Sequence, residues 1–106
     1  MPAISFTVFK EKIKKGTKKQ TIRPVGKRKI EPGDTLYLYW HQRQKDCELL
    51  KVTKCISVYR MCYQDFCRQE SIAKKDGFRN AQEMRDWFEK THRPFPCDKF
   101  QIIRWE

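Results

Sequence analysis

No apolar run in this 106-residue chain is longer than a few positions, far short of the about 20 residues a membrane-crossing helix needs. The first 15 residues lack the continuous apolar stretch of a secretory signal and are dotted with lysines, so a cytoplasmic location is expected. None of the five cysteines (Cys47, Cys55, Cys62, Cys67, Cys97) forms a C-x-x-C pair, and their number is odd. Free, mostly buried thiols are therefore expected rather than a disulfide framework. Cys62 and Cys67 with His41 or His92 are the nearest thing to a metal set. Their spacing specifies no site, so neither a metal nor another cofactor is expected. Acidic residues are also scarce, 13 against 24 lysines and arginines.

The resulting net charge of +11 bears on partners more than on fold. Ten cations lie between Lys10 and Lys29, with Glu11 as the one acid among them, and the rest of the chain is near neutral. Charge added for solubility would be spread out, so a polyanionic partner is expected, RNA or other nucleic acid first. Docking onto an acidic protein is the alternative. A hydrophobic content of 39% is too high for a disordered chain, and the length suits one domain spanning 1–106, expected to be a monomer.

Periodicity gives the order of elements. Residues 3–9 alternate, with Ile4, Phe6 and Val8 on one face of a strand. Phe9 and Ile13 sit four apart on a short helix that Gly16 ends. Residues 17–23 run from loop into strand, Pro24 stops it, and a basic loop follows. Pro32-Gly33-Asp34 is a turn before a strand at 35–40, whose Leu36, Leu38 and Trp40 oppose Tyr37 and Tyr39. A long β run at 47–59 places Leu50, Val52, Ile56 and Val58 on one face. Lys54 interrupts that face, which predicts a bulge near it.

Residues 61–75 have helical spacing, and Asp76-Gly77-Phe78 breaks it. Asn80 and Glu83 have the spacing of a capping box ahead of a helix carrying Ala81, Met84, Trp87, Phe88 and Thr91 on one stripe. Pro94 and Pro96 end that helix, and residues 99–105 form a closing strand. This order predicts an α+β domain, a small partly closed β-barrel with helices packed at one end. Phe6, Trp40, Phe78, Trp87 and Phe88 are expected in the core. His41 and His92 fall in polar loops and are expected to be solvated.

Gly16-Thr17-Lys18-Lys19-Gln20-Thr21-Ile22-Arg23 resembles the signature of the ASCH family, G-x-K-x-x-[E or T]-x-R. Pro32-Gly33-Asp34 before an apolar strand resembles that family's next element. Ala73-Lys74-Lys75-Asp76-Gly77-Phe78 ahead of Trp87-Phe88 resembles a later one. The three cover nearly the whole chain in order. The resemblance implies a PUA-like barrel with a cleft beside the motif and a role in RNA metabolism. One branch of similar length, the N4-acetylcytidine amidohydrolases, has threonine at the variable motif position, as here. That similarity implies a catalytic set of Lys18, Thr21 and, with a one-residue shift, Asp76, beside the motif arginine Arg23.

The chemistry makes demands of its own. A threonine hydroxyl needs a base to take its proton. A lysine serves as that base only where burial or neighbouring charge lowers its pKa, and Lys19 and Arg23 are nearby in sequence. On an extended strand Lys18 and Thr21 point to opposite faces, so the segment must curl to bring them together. Glu70, four after Phe66 and three before Ala73, is the alternative acid: it either enters a cleft or marks the end of a buried helical face. For nucleic-acid binding the candidates are Lys15, Lys18, Lys19, Arg23, Lys27, Arg28 and Lys29 on phosphate, with Tyr37 and Tyr39 as stacking platforms.

Overall fold

The computed structural model describes residues 3–25 and 30–106. The strands are β1 Ala3–Phe6, β2 Gln20–Pro24, β3 Thr35–Trp40, β4 Glu48–Cys62 and β5 Lys99–Trp105. The helices are α1 Lys10–Lys15, α2 Tyr63–Phe66, α3 Glu70–Asp76 and α4 Ala81–Thr91. The strands form one sheet in the order β1-β3-β4-β5-β2. β1 and β3 pair in parallel; the other neighbours are antiparallel. The parallel pair arises because the chain leaves β1 through α1, crosses to the far edge as β2, and returns beside β1 as β3. The two edge strands are therefore β1 and β2. A side chain joins them: Arg23 Nη2 of β2 donates to the carbonyl of Ser5 in β1. The sheet is a half-barrel with a seam, and this α+β architecture is the one expected.

Both faces of β5 are buried. Ile103 and Trp105 join Ile4, Phe6, Leu36 and Leu38 inside the barrel. Phe100 and Ile102 pack outward beneath the helices, against Phe66, Met84 and Phe88. A fully buried Leu, Ile or Phe contributes roughly 1.5–3 kcal/mol, so these two cores supply most of the driving force. Asn80 caps α4 as its spacing predicts, its side chain accepting from Glu83 N at 2.8 Å. Glu83 reaches back one residue beyond the cap, to Arg79 N at 3.3 Å.

Five expectations are corrected. β1 ends at Phe6 instead of residue 9; Phe9 is left-handed (φ 64°), which turns its ring onto Phe78. The helical stretch at 61–75 is two helices, because β4 continues to Cys62 and residues 67–69 separate α2 from α3. One irregularity of β4 lies between Cys55 and Ser57, near Lys54 as expected, and a second lies opposite Leu38/Tyr39. Each resets the alternation, so Leu50 and Val58 pack inward while Val52 and Ile56 are half exposed, and Cys55 takes the buried position between them. The thiols are free, but only Cys55 and Cys67 are buried. Of the aromatics expected in the core, Phe6, Phe78 and Phe88 are buried, while Trp40 and Trp87 are only partly so.

Candidate functional site

Gly16 ends α1 in the left-handed conformation (φ 79°), and Thr17 N and Lys18 N both return to Lys12 O. This tight curl is what allows Lys18 to turn inward before β2 begins. Its side chain then reaches the C-terminal end of α3, 58 residues away. Lys18 Nζ lies 2.5 Å from the Asp76 carbonyl oxygen and 3.2 Å from Asp76 Oδ2. Lys12 Nζ donates to the next carbonyl, that of Gly77, at 2.7 Å. Two cations thus meet the negative end of the α3 dipole. Lys18 and Asp76 are 2% and 6% exposed, a buried ion pair.

Thr21 and Arg23 stand on the barrel side of β2. Thr21 is buried, and its Oγ1 accepts from Arg23 Nε at 3.3 Å, leaving the hydroxyl proton to point elsewhere. Arg23 bridges the seam to Ser5, and its guanidinium lies 5.0 Å from the centre of the Phe6 ring. Lys18 Nζ lies 5.1 Å from the Phe9 ring centre and 5.8 Å from that of Phe6. Attraction between cation and ring offsets part of the cost of burying these charges.

These groups converge on a cleft of about 250 Å³ at the seam. Its polar lining includes Lys18, Thr21, Arg23 and Asp76. Phe6, Phe9, Phe78 and Trp87 supply apolar wall, and Thr91 and His92 stand at the α4 end. The volume falls just below the roughly 300–1,000 Å³ of drug-sized pockets, so it suits one small ring system and not an oligomer.

Burial shifts the charges in a consistent way. It lowers the Lys18 pKa, an effect that the nearby Asp76 opposes and Arg23 and Lys12 reinforce. It raises the Asp76 pKa, against the opposing charge of Lys18. Both shifts run toward the neutral pair and reduce the cost of passing a proton from Lys18 to Asp76. Burial also lowers the Arg23 pKa, from a value high enough that the guanidinium stays charged. His92 is lowered by burial and then by Arg23.

The cleft therefore unites Lys18, Thr21, Asp76 and Arg23, and it excludes several other candidates. Glu70 is exposed and its Oε2 accepts from Ala81 N at 3.2 Å, so it marks the end of the buried face instead of entering the cleft. Lys15 and Lys19 are exposed outside it, and Tyr37 and Tyr39 lie half-buried on β3, away from it. Lys27, Arg28 and Lys29 fall outside the described residues. His41 packs on Trp40 and pairs with Asp46 at 2.8 Å. His92 is exposed to solvent, as expected, and also stands at the cleft edge; the prolines that end α4 gave no sign that its last turn reaches the seam. Ser5 and Phe9 were also missed, because seam contacts leave no local pattern. No cluster of three metal-ligating side chains occurs among the described residues, and no described helix is long and apolar enough to cross a membrane.

The half-barrel with its helical cover is the fold of solved ASCH structures. The chain superposes with a TM-score of 0.66 on each of three solved ASCH structures, covering 98–99% of its own length. Two are variants of ZmASCH from Zymomonas mobilis, at 15% and 17% identity, of which it spans 67% and 66%. The third is an ASCH domain from Lactobacillus crispatus, at 14% identity, of which it spans 77%. At such identities the likeness is one of fold. No family model and no curated protein matches the chain in sequence.

Proposed function

We propose that the seam cleft takes a nucleoside and hydrolyses an acyl group from its exocyclic amine. N4-acetylcytidine is the substrate that the resemblance of residues 16–23 implies. The observation that carries this reading is the meeting of Lys18, Thr21 and Asp76, distant or opposed in sequence, in one cleft of base-like size. Lys18, in its amine form, takes the Thr21 hydroxyl proton as Oγ1 attacks the acyl carbonyl. Arg23, already at hydrogen-bond distance from Oγ1, holds the nucleophile in place. The C–N bond breaks as protonated Asp76 gives its proton to the leaving amine. Water then hydrolyses the threonyl ester, releasing the carboxylic acid and restoring the hydroxyl. The depressed lysine and raised aspartate are the shifts that a base and an acid at this spacing need.

The test is incubation with N4-acetylcytidine, following cytidine release. Turnover that disappears in both Thr21→Val and Lys18→Ala, with the variants folded, supports the mechanism. Turnover retained in Thr21→Val refutes threonine as nucleophile.

A second reading, binding of RNA or other nucleic acid without chemistry, is favoured by the net charge of +11 and its concentration around the motif. Saturable nucleoside binding without hydrolysis would select it. Lys15 and Lys19, exposed outside the cleft, would then gather phosphates. Failure to bind any nucleic acid would turn attention to an acidic protein partner.

A further inference from the structure

The outer face of the sheet is only partly covered by its helices. Over Ile22, Phe100 and Ile102 the cover is complete. Beyond α3 the face opens into a groove of about 520 Å³, on the opposite side of the sheet from Thr21 and Arg23. Arg104 and Ser57 are register partners across β5 and β4, and Arg104 pairs with Gln20 across β2. Tyr59, two residues beyond Ser57, shares their face and is 50% exposed. The Arg104 guanidinium lies 5.3 Å from the centre of its ring. This arginine is held: its Nε donates to Gln20 Oε1 at 3.1 Å, and Gln20, 1% exposed, is itself anchored to Ile72 O at 3.1 Å. Lys19 and Lys75 stand exposed on the groove walls, and no carboxylate is among its lining residues.

A half-exposed tyrosine beside a clamped arginine, with two exposed lysines and no acid in the groove lining, matches a ligand that is planar and anionic at short repeat. Single-stranded nucleic acid has that chemistry: bases stack on exposed aromatic and guanidinium planes while cations follow the backbone. An acidic peptide would satisfy the cations but leave Tyr59 without a role. We propose that this outer groove is a binding site for single-stranded nucleic acid, with Tyr59 as the stacking platform, Arg104 as its positioned neighbour and Lys19 and Lys75 on phosphates. It is a separate surface from the seam cleft and does not depend on the chemistry proposed there.

The test is fluorescence anisotropy of the full chain with a labelled oligouridylate of twelve nucleotides at low salt. Tyr59→Ala is expected to weaken binding by about 5- to 150-fold, the range for loss of one stacked base. Tyr59→Phe, which keeps the ring, should bind within about twofold of the parent. Lys75→Ala, at an exposed position, should weaken binding and flatten its salt dependence. Thr21→Val should leave oligonucleotide binding unchanged, and Tyr59→Ala should leave nucleoside binding in the cleft unchanged. Oligonucleotide affinity lost in Thr21→Val but kept in Tyr59→Ala would overturn the groove and leave the cleft reading standing. No oligonucleotide binding, or equal competition by polyglutamate with Tyr59→Ala inert, would overturn it as well. Loss of nucleoside turnover with the groove pattern intact would count only against the cleft chemistry.

Discussion

Replacing Asp76 by alanine removes the carboxylate that faces the Lys18 ammonium at 3.2 Å and leaves a cation with 2% of its surface exposed. Breaking a buried pair by deleting one partner costs about 3–5 kcal/mol, since the remaining charge has lost its compensation. Two features bound the value from above. The main-chain oxygen of residue 76 still accepts from Nζ. The orphaned lysine can also shed its proton, which at pH 7 costs at most about 4.6 kcal/mol, or about 3.4 units at about 1.36 kcal/mol each. A loss of about 3–4 kcal/mol is expected, lowering Tm by about 12 °C or more.

Replacing both partners by apolar residues of similar size, Lys18→Met with Asp76→Leu, should recover most of that loss. Urea unfolding followed by tryptophan fluorescence measures the parent, the single variant and the double variant. The pH dependence has a definite sign. The unpaired Lys18 has a folded pKa below its unfolded one, so the unfolded state binds more protons between the two values, and stability rises with pH there. The Asp76→Ala deficit should therefore shrink toward pH 10. A deficit below about 1 kcal/mol, or a double variant no more stable than the single one, would refute the account of this pair as a costly buried charge. A double variant that folds well but neither binds nor turns over a nucleoside would show that the pair is kept for the cleft and not for the fold.

Other outcomes follow from the same geometry. Gly77 sits at φ 108°, and an added Cβ would stand 3.3 Å from the Phe9 ring, so Gly77→Ala should cost about 1–3 kcal/mol in urea unfolding. A neutral substitution would mean that the α3 terminus has other conformations open to it. Asn80→Ala deletes the bond to Glu83 N and should cost about 1 kcal/mol; no change would show that the Arg79–Glu83 contact carries the cap. Oligonucleotide affinity in the outer groove should fall with a log–log salt slope of about −1.4, as Lys19 and Lys75 each neutralise one phosphate of a single strand. A flat response would exclude phosphate contact there.

Much of the fold is legible along the chain because its signals are local. Gly16 ends α1, Gly33 occupies the turn before β3, and Asn80 opens α4, each through backbone chemistry confined to a few residues. The motif at residues 16–23 likewise singles out Lys18, Thr21 and Arg23, and the crowding of cations around it is what raises the expectation of an anionic partner. Tertiary structure alone decided what those residues meet. Alternation along β4 predicts one apolar face, but two register shifts set by its neighbours send Val52 and Ile56 outward and Cys55 inward. Two acids competed on paper for the cleft; folding buried Asp76 beside Lys18 and left Glu70 in solvent, holding an amide of α4. His92 and the Tyr59–Arg104 pair owe their positions to the curl of the sheet and the reach of α4. Local sequence fixes where a segment bends and which face is apolar, whereas a contact across 58 residues depends on how a twisted sheet closes upon itself.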